Sequence, residues 1–201
     1  MKPKILFQGD SITDCNRLHT NSGLGDGYVY LVSKELTECE IINKGISGNR
    51  VSDLWKRWKK DTIQVNPDIL TIFIGINDVW HKHAYGKRFS IEKFEETYRK
   101  LIDSSLENNP KLKIILMTPF YLPFGAYKKA WNKEFDLIMN TCHQISLDYQ
   151  LPLIHLHEAF QTVSMNVNQT ELLYDGVHPT LLGHQLIRDE WLNLYNSIVK
   201  S

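Results

Sequence analysis

An α/β protein, with an open parallel sheet of about five strands and helices on both faces, is predicted by three features of this 201-residue chain. Short apolar runs recur along it, apolar on both faces, as strands covered from both sides must be. The stretches between them carry apolar residues at helical spacing. The two patterns alternate, which calls for β-α-β crossovers within one sheet.

The strands are expected at KILFQ (4–8), EIINK (40–44), DILTIFIG (68–75), LKIILMT (112–118) and LPLIHL (151–156). A helix is expected over 27–37, after the first strand. Val51, Leu54, Trp55 and Trp58 form the core-facing stripe of the next. Ile91, Phe94, Tyr98, Leu101 and Ser105 mark a third, and Phe135, Ile138, Cys142, Ile145 and Tyr149 a fourth. Ile187, Trp191, Leu194 and Ile198 mark the last. No repeat, low-complexity segment or linker interrupts the pattern, so residues 1–201 read as one domain.

Composition excludes several classes. Basic and acidic residues number 23 each, which is not the footprint of a nucleic-acid binder. KRWKKD (56–61) reads as the solvated face of a helix. The three cysteines, Cys15, Cys39 and Cys142, are odd in number and widely spaced, which suits neither a disulfide framework nor a structural zinc site. They fit a reducing compartment. The N-terminus runs directly into a strand without a signal-peptide pattern, and no apolar run reaches the length of a membrane span. A cytoplasmic protein with no membrane partner is expected.

In open parallel sheets ligands bind outside the carboxyl ends of the strands, and there the small and polar residues gather. Strand one ends in Gly9-Asp10-Ser11, strand two in NKGISGNR with Gly45 and Gly48, strand three in Gly75-Ile76-Asn77-Asp78. Before the last helix comes YDGVHPTLLGH (174–184). Asp175 and His178, three apart and followed by Pro179, suit an ordered loop at a helix start. There a carboxylate can bond one imidazole nitrogen and leave the other facing a hydroxyl, which is what a serine nucleophile needs. The Gly48 N–H, the Asn77 amide and the Ser11 N–H are the kinds of donor that a developing oxyanion needs. Taken singly, each of these residues reads also as an ordinary turn, cap or surface residue, and Gly48 and Asn77 more readily so than as donors.

Together the blocks resemble the SGNH hydrolases, the GDSL esterase/lipase family. Ser11 lies in GDSIT, Gly48 in GISGN, Asn77 in GIND and His178 in DGVHP, in the family's order across nearly the whole chain. Ile12 replaces the leucine of the family's short name, a volume-matched apolar change. The resemblance implies a flavodoxin-like three-layer α/β/α sandwich. It implies a catalytic triad of Ser11, His178 and Asp175, and an oxyanion hole from the N–H groups of Ser11 and Gly48 and the side chain of Asn77. GDSITDCNR, NKGISGN, IGINDVW and ILMTPFY further resemble the intracellular bacterial acetylxylan esterases of this superfamily. The resemblance thus implies a serine esterase for short acyl groups on xylo-oligosaccharides or related small esters, working without metal or cofactor.

Other residues take lesser roles. Asp10 is expected to bond loop backbone, because adjacent side chains on an extended segment point apart. Trp80 and Tyr174 neighbour the motifs and are candidates for binding substrate. His81 and His83 are expected on an exposed loop beside the site, with no third metal ligand at hand. Homo-oligomers are compatible with the aromatic content. Two rival readings stand. A lysophospholipase or thioesterase would form an apolar groove from the aromatics at 119–131. A non-catalytic flavodoxin-like module would hold phosphate on GDSIT, but has no need of Asp175 and His178.

Overall fold

A computed structural model describes residues 2–199. Its five strands, β1 (Lys4–Gly9), β2 (Glu40–Asn43), β3 (Ile69–Phe73), β4 (Lys113–Met117) and β5 (Leu153–Ile154), form one sheet in the order β2-β1-β3-β4-β5. Every neighbouring pair is parallel. The order reverses direction between β1 and β3, whose carboxyl ends form the topological switch point at which such sheets bind ligands.

Nine α-helices are present among the described residues: α1 (Ser11–Asp14), α2 (Tyr28–Glu35), α3 (Val51–Trp58), α4 (Ile76–Tyr85), α5 (Ile91–Asn108), α6 (Asn132–Tyr149), α7 (Leu156–Ser164), α8 (Gln169–Leu172) and α9 (Leu181–Val199). A π-helical turn, Lys59–Ile63, extends α3. On one side α9 packs against α2, α7 and α8; on the other α5 packs against α3 and α6. The alternation of a strand explains how β1 serves both layers. Phe7 meets Trp191 of α9, with ring centroids 5.1 Å apart. Its neighbour Gln8 faces the opposite layer and donates to Thr62 Oγ1 (2.8 Å) and the Asp61 carbonyl (2.9 Å).

Several polar groups inside the apolar stripes have partners, although the buried Tyr98 hydroxyl of α5 has none among the described residues. Trp58 Nε1 donates to the Leu101 carbonyl and to Ser105 Oγ, both at 3.0 Å, which accounts for a serine on the buried face of α5. Trp191 Nε1 donates to Thr71 Oγ1 at 2.9 Å, pinning α9 to the middle of β3. A buried donor left without such a partner costs roughly 1–3 kcal/mol.

Three expectations are corrected. The fifth strand is two residues long rather than six. Pro152 has no N–H to give the ladder, and His155 leaves the extended region (φ −87°, ψ 67°) to start α7. Trp55 is 43% exposed and lies off the α3 core stripe formed by Val51, Leu54 and Trp58. His81 and His83 sit on α4, not on a loop. His83 Nε2 is 3.0 Å from Glu134 Oε2, and Lys82 bonds the other oxygen of that carboxylate, so this turn is fastened to α6. Two residues apart on a helix, the two imidazoles point to different sides and do not chelate together.

Candidate active site

The site forms where β1, β2 and β3 deliver their ends beside the loop that precedes α9. Asp10 caps α1, its Oδ1 accepting the Ile12 N–H at 3.1 Å, so the helix begins at Ser11. As the first helical residue, Ser11 has a backbone N–H with no intrahelical acceptor. Its Oγ lies 3.1 Å from His178 Nε2. His178 Nδ1 lies 2.7 Å from Asp175 Oδ2. Asp175 Oδ1 accepts the backbone N–H groups of Val177 (3.0 Å) and His178 (2.8 Å), so one carboxylate shapes the loop and orients the ring.

This network assigns the protons. Partial burial pushes the Asp175 carboxyl up, but the His178 N–H and imidazole and the Val177 N–H outweigh it and hold the group below its ordinary value. The ionised carboxylate therefore accepts from Nδ1–H, and Nε2 carries the lone pair that faces Ser11 Oγ.

The loop after β2 is folded against α1. Gly45 is required there by close approach, since a Cβ would lie 2.3 Å from the Asp14 nitrogen. The Ser47 N–H donates to Asp14 Oδ2 at 3.0 Å. Gly48 differs: a Cβ would meet nothing within 4 Å, but φ is +78°, a conformation L side chains rarely adopt. Among the described residues the Gly48 N–H has no intramolecular acceptor. Asn77 is buried at the start of α4, and its Nδ2 donates one hydrogen to the Asn49 carbonyl at 3.1 Å. The second hydrogen of that amide remains available.

Two positioning residues have partners that the sequence did not show. Arg57 of α3 donates from Nε to Asn49 Oδ1 (2.8 Å), from Nη1 to Gln8 Oε1 (2.8 Å) and Asp61 Oδ2 (3.2 Å), and from Nη2 to the Gly9 carbonyl (3.2 Å). It thereby braces the glycine loop to the end of β1, the strand that leads into Ser11. Asp78 Oδ2 accepts the Val51 N–H at 3.1 Å, joining the block after Asn77 to the start of α3. Arg57 lies in KRWKKD, which reads as a solvated helix face until its partners are known, and Asp78 reads only as one more polar residue at a strand end.

Ser11 and His178 open onto a cleft of about 490 Å³, lined among others by Asp14, Asn16, Leu18, His19, Ser47 and Tyr174, whereas Gly48 and Asn77 are not part of its lining. Leu18 and Tyr174 are 77% and 74% exposed. Trp80 does not line this cleft; its ring packs on His178 with centroids 5.7 Å apart. Nor does any aromatic of 119–131 line it. Phe120 stacks on Phe160 at 4.0 Å, and Tyr121 packs on Tyr127 and Phe135, so these rings fill the interior.

The same cleft holds another imidazole, His184, with Nε2 3.4 Å from Cys15 Sγ. It is not a second nucleophile–base pair. His184 Nδ1 accepts the Tyr28 N–H at 3.2 Å, so the ring proton is on Nε2 and points at sulfur. Burial pushes the imidazole down to about 4, and burial together with Asp26 pushes the Cys15 thiol up to about 11.

Asp10 supplies a stability prediction. Burial raises its carboxyl from 3.8 to about 7, against the opposing pull of the Ile12 N–H and His178. Between those values the folded chain holds a proton that the unfolded chain has lost, so stability falls as pH rises through this window. Each pH unit across it is worth up to about 1.4 kcal/mol. Asp10→Asn should therefore gain stability over wild type as pH rises from about 4 to about 7, read from urea midpoints. A difference between the two proteins that is independent of pH would contradict this.

Comparison with known proteins bears on the fold and the family. The family model of GDSL-like lipases/acylhydrolases matches residues 7–186. An acetylxylan esterase of Geobacillus stearothermophilus is 36% identical over 205 residues, covering 94% of this chain and 92% of that protein. A crystal structure of an acetylxylan esterase from the same organism superposes with a TM-score of 0.82 at 36% identity, covering 96% of this chain and 95% of the other. The structure of a Parabacteroides merdae protein assigned as a GDSL-like lipase gives a TM-score of 0.90 at 32% identity, over 96% and 94% of the two chains.

Proposed function

The chain belongs to the GDSL-like lipase/acylhydrolase family, and on that footing we propose that this carboxylic ester hydrolase removes short acyl groups, acetyl above all, from hydroxyls of xylo-oligosaccharides or related carbohydrates. The observation that carries the substrate class is the makeup of the cleft. A long acyl chain needs an apolar groove, and of the aromatics of 119–131 Phe120, Tyr121 and Trp131 are buried in the core, with Phe124 and Tyr127 packed half-buried against it. What surrounds Ser11 and His178 is instead a short mixed lining, with Asp14, Asn16, His19 and Ser47 beside Ile12 and Pro179, and with Tyr174 and Leu18 standing exposed at the rim. Hydroxyl-bonding groups beside an exposed aromatic face suit a sugar ring. The relatedness to an acetylxylan esterase points the same way.

The reaction is a two-step acyl transfer. His178 Nε2 takes the Ser11 proton as Oγ attacks the ester carbonyl, and Asp175 stabilises the imidazolium that forms. The N–H groups of Ser11 and Gly48 and the free amide hydrogen of Asn77 receive the oxyanion. The tetrahedral intermediate collapses, and the sugar alkoxide leaves with the proton from His178. Water then adds to the acyl-enzyme by the same route, releasing the carboxylic acid and restoring Ser11. No step needs a metal or cofactor. Three unpaired cysteines support a reducing, cytoplasmic setting, and no helix among the described residues is long and apolar enough to cross a membrane.

An ester panel tests the substrate class. Hydrolysis of p-nitrophenyl acetate is expected to exceed that of the octanoate ester at least about 100-fold in kcat/KM, as rejection of several methylenes allows. Acetylated xylo-oligosaccharides should be deacetylated. Equal or better turnover of octanoate would transfer the protein to the lysophospholipase or thioesterase reading.

A further inference from the structure

Away from the cleft, three metal-ligating side chains meet at the open edge of the sheet. His143 projects from α6, His155 follows the edge strand β5, and Glu158 lies three residues on, in the first turn of α7. The donor atoms of all three lie within 4.8 Å of one another. His143 Nε2 and His155 Nδ1 are 3.1 Å apart. The two imidazoles border a depression of about 330 Å³, together with Ser146, Leu147 and Leu153.

We propose that His143, His155 and Glu158 form a binding site for a divalent transition-metal ion of the zinc type. Two imidazole nitrogens bound to one tetrahedral ion at 2.0–2.1 Å stand about 3.3 Å apart. The nitrogens of His143 and His155 are already close to that separation. Glu158 can add an anionic oxygen on the same side, and water completes the shell. Two nitrogens with one carboxylate select zinc, nickel or copper over magnesium or calcium, which take all-oxygen sets. His155 and Glu158 are exposed and His143 is half-buried, so the ion has an open path. Solvent-facing ligands held by few outer partners give micromolar rather than tighter binding.

The ion would bridge α6 to the start of α7 across the shortest strand of the sheet. It would stabilise the fold and take no part in ester hydrolysis, because β5 lies two strands away from β3. In this respect it is unlike a catalytic zinc, which must reach the reacting carbonyl.

The test uses the full chain, stripped with a chelator and titrated calorimetrically with Zn²⁺ alone. One site of micromolar affinity is expected in the wild type. His143→Gln and His155→Gln should each weaken it at least about tenfold, as should Glu158→Gln. Saturating Zn²⁺ should raise Tm by several degrees in the wild type and not in the double histidine variant. Hydrolysis of p-nitrophenyl acetate by the variants should stay at the wild-type level, which also shows that they fold. Zn²⁺ affinity equal in the double variant and the wild type would overturn the site. So would the absence of both heat and Tm shift at about 100 µM Zn²⁺, which would leave a plain N–H···N hydrogen bond between the two rings.

Discussion

Ser11→Ala is expected to lower kcat for p-nitrophenyl acetate by about 10⁶-fold, close to the level left by the oxyanion donors and binding alone. The size follows from the 3.1 Å contact of Oγ with His178 Nε2 and the 2.7 Å contact of Nδ1 with Asp175. A serine hydroxyl is inert until a base takes its proton, and alanine leaves the base with nothing to activate but water. A half-exposed side chain contributes little to the core, so the variant should melt within a degree or two of wild type. Mass spectrometry adds a direct reading. A rapid acid quench during turnover should trap the wild type carrying one acetyl group, with no such adduct on the variant. Retention of a tenth or more of wild-type activity would remove Ser11 from the chemistry and the triad with it.

Asn77→Ala carries the second-largest expected effect, a loss of about 10²–10³ in kcat with KM little changed. The split is informative. An oxyanion donor acts on charge that exists only in the transition state, so its removal leaves ground-state binding nearly intact. Asn77 also holds the Asn49 carbonyl at 3.1 Å, and losing that bond should cost roughly 1 kcal/mol of stability. Urea unfolding measures this separately. A large kcat loss with a small stability loss assigns the amide to the oxyanion. A rise in KM with kcat unchanged would make Asn77 a binding or structural residue instead.

Much of the architecture was legible because buried parallel strands and amphipathic helices carry opposite periodicities. The runs around Ile5–Phe7, Ile69–Phe73 and Ile114–Met117 have no polar face, and Phe94, Tyr98, Leu101 and Ser105 repeat at helical spacing. The short helices were harder to read. α4 mixes Trp80, His81, Lys82 and His83 with little apolar periodicity, and its fastening to Glu134 of α6 is a long-range contact. The fifth strand looked long because Leu151 to Leu156 is apolar, yet the backbone turns at His155.

The sequence by itself determined the chemistry on offer: a serine after one strand, a glycine loop after the next, an amide after the third, and a carboxylate three residues before an imidazole. Residue type and short spacing are local properties, so they survive in a string of letters. Only the tertiary structure decided what these groups meet. It brought Ser11 and His178, 167 positions apart, within 3.1 Å. It aimed Arg57 at Asn49 and Gly9 rather than at solvent. It turned Phe120, Tyr121 and Trp131 into the core and left Tyr174 at the rim. It set His143 beside His155. These outcomes depend on how separate elements dock, and docking is settled by the packing of the whole core rather than by any one segment.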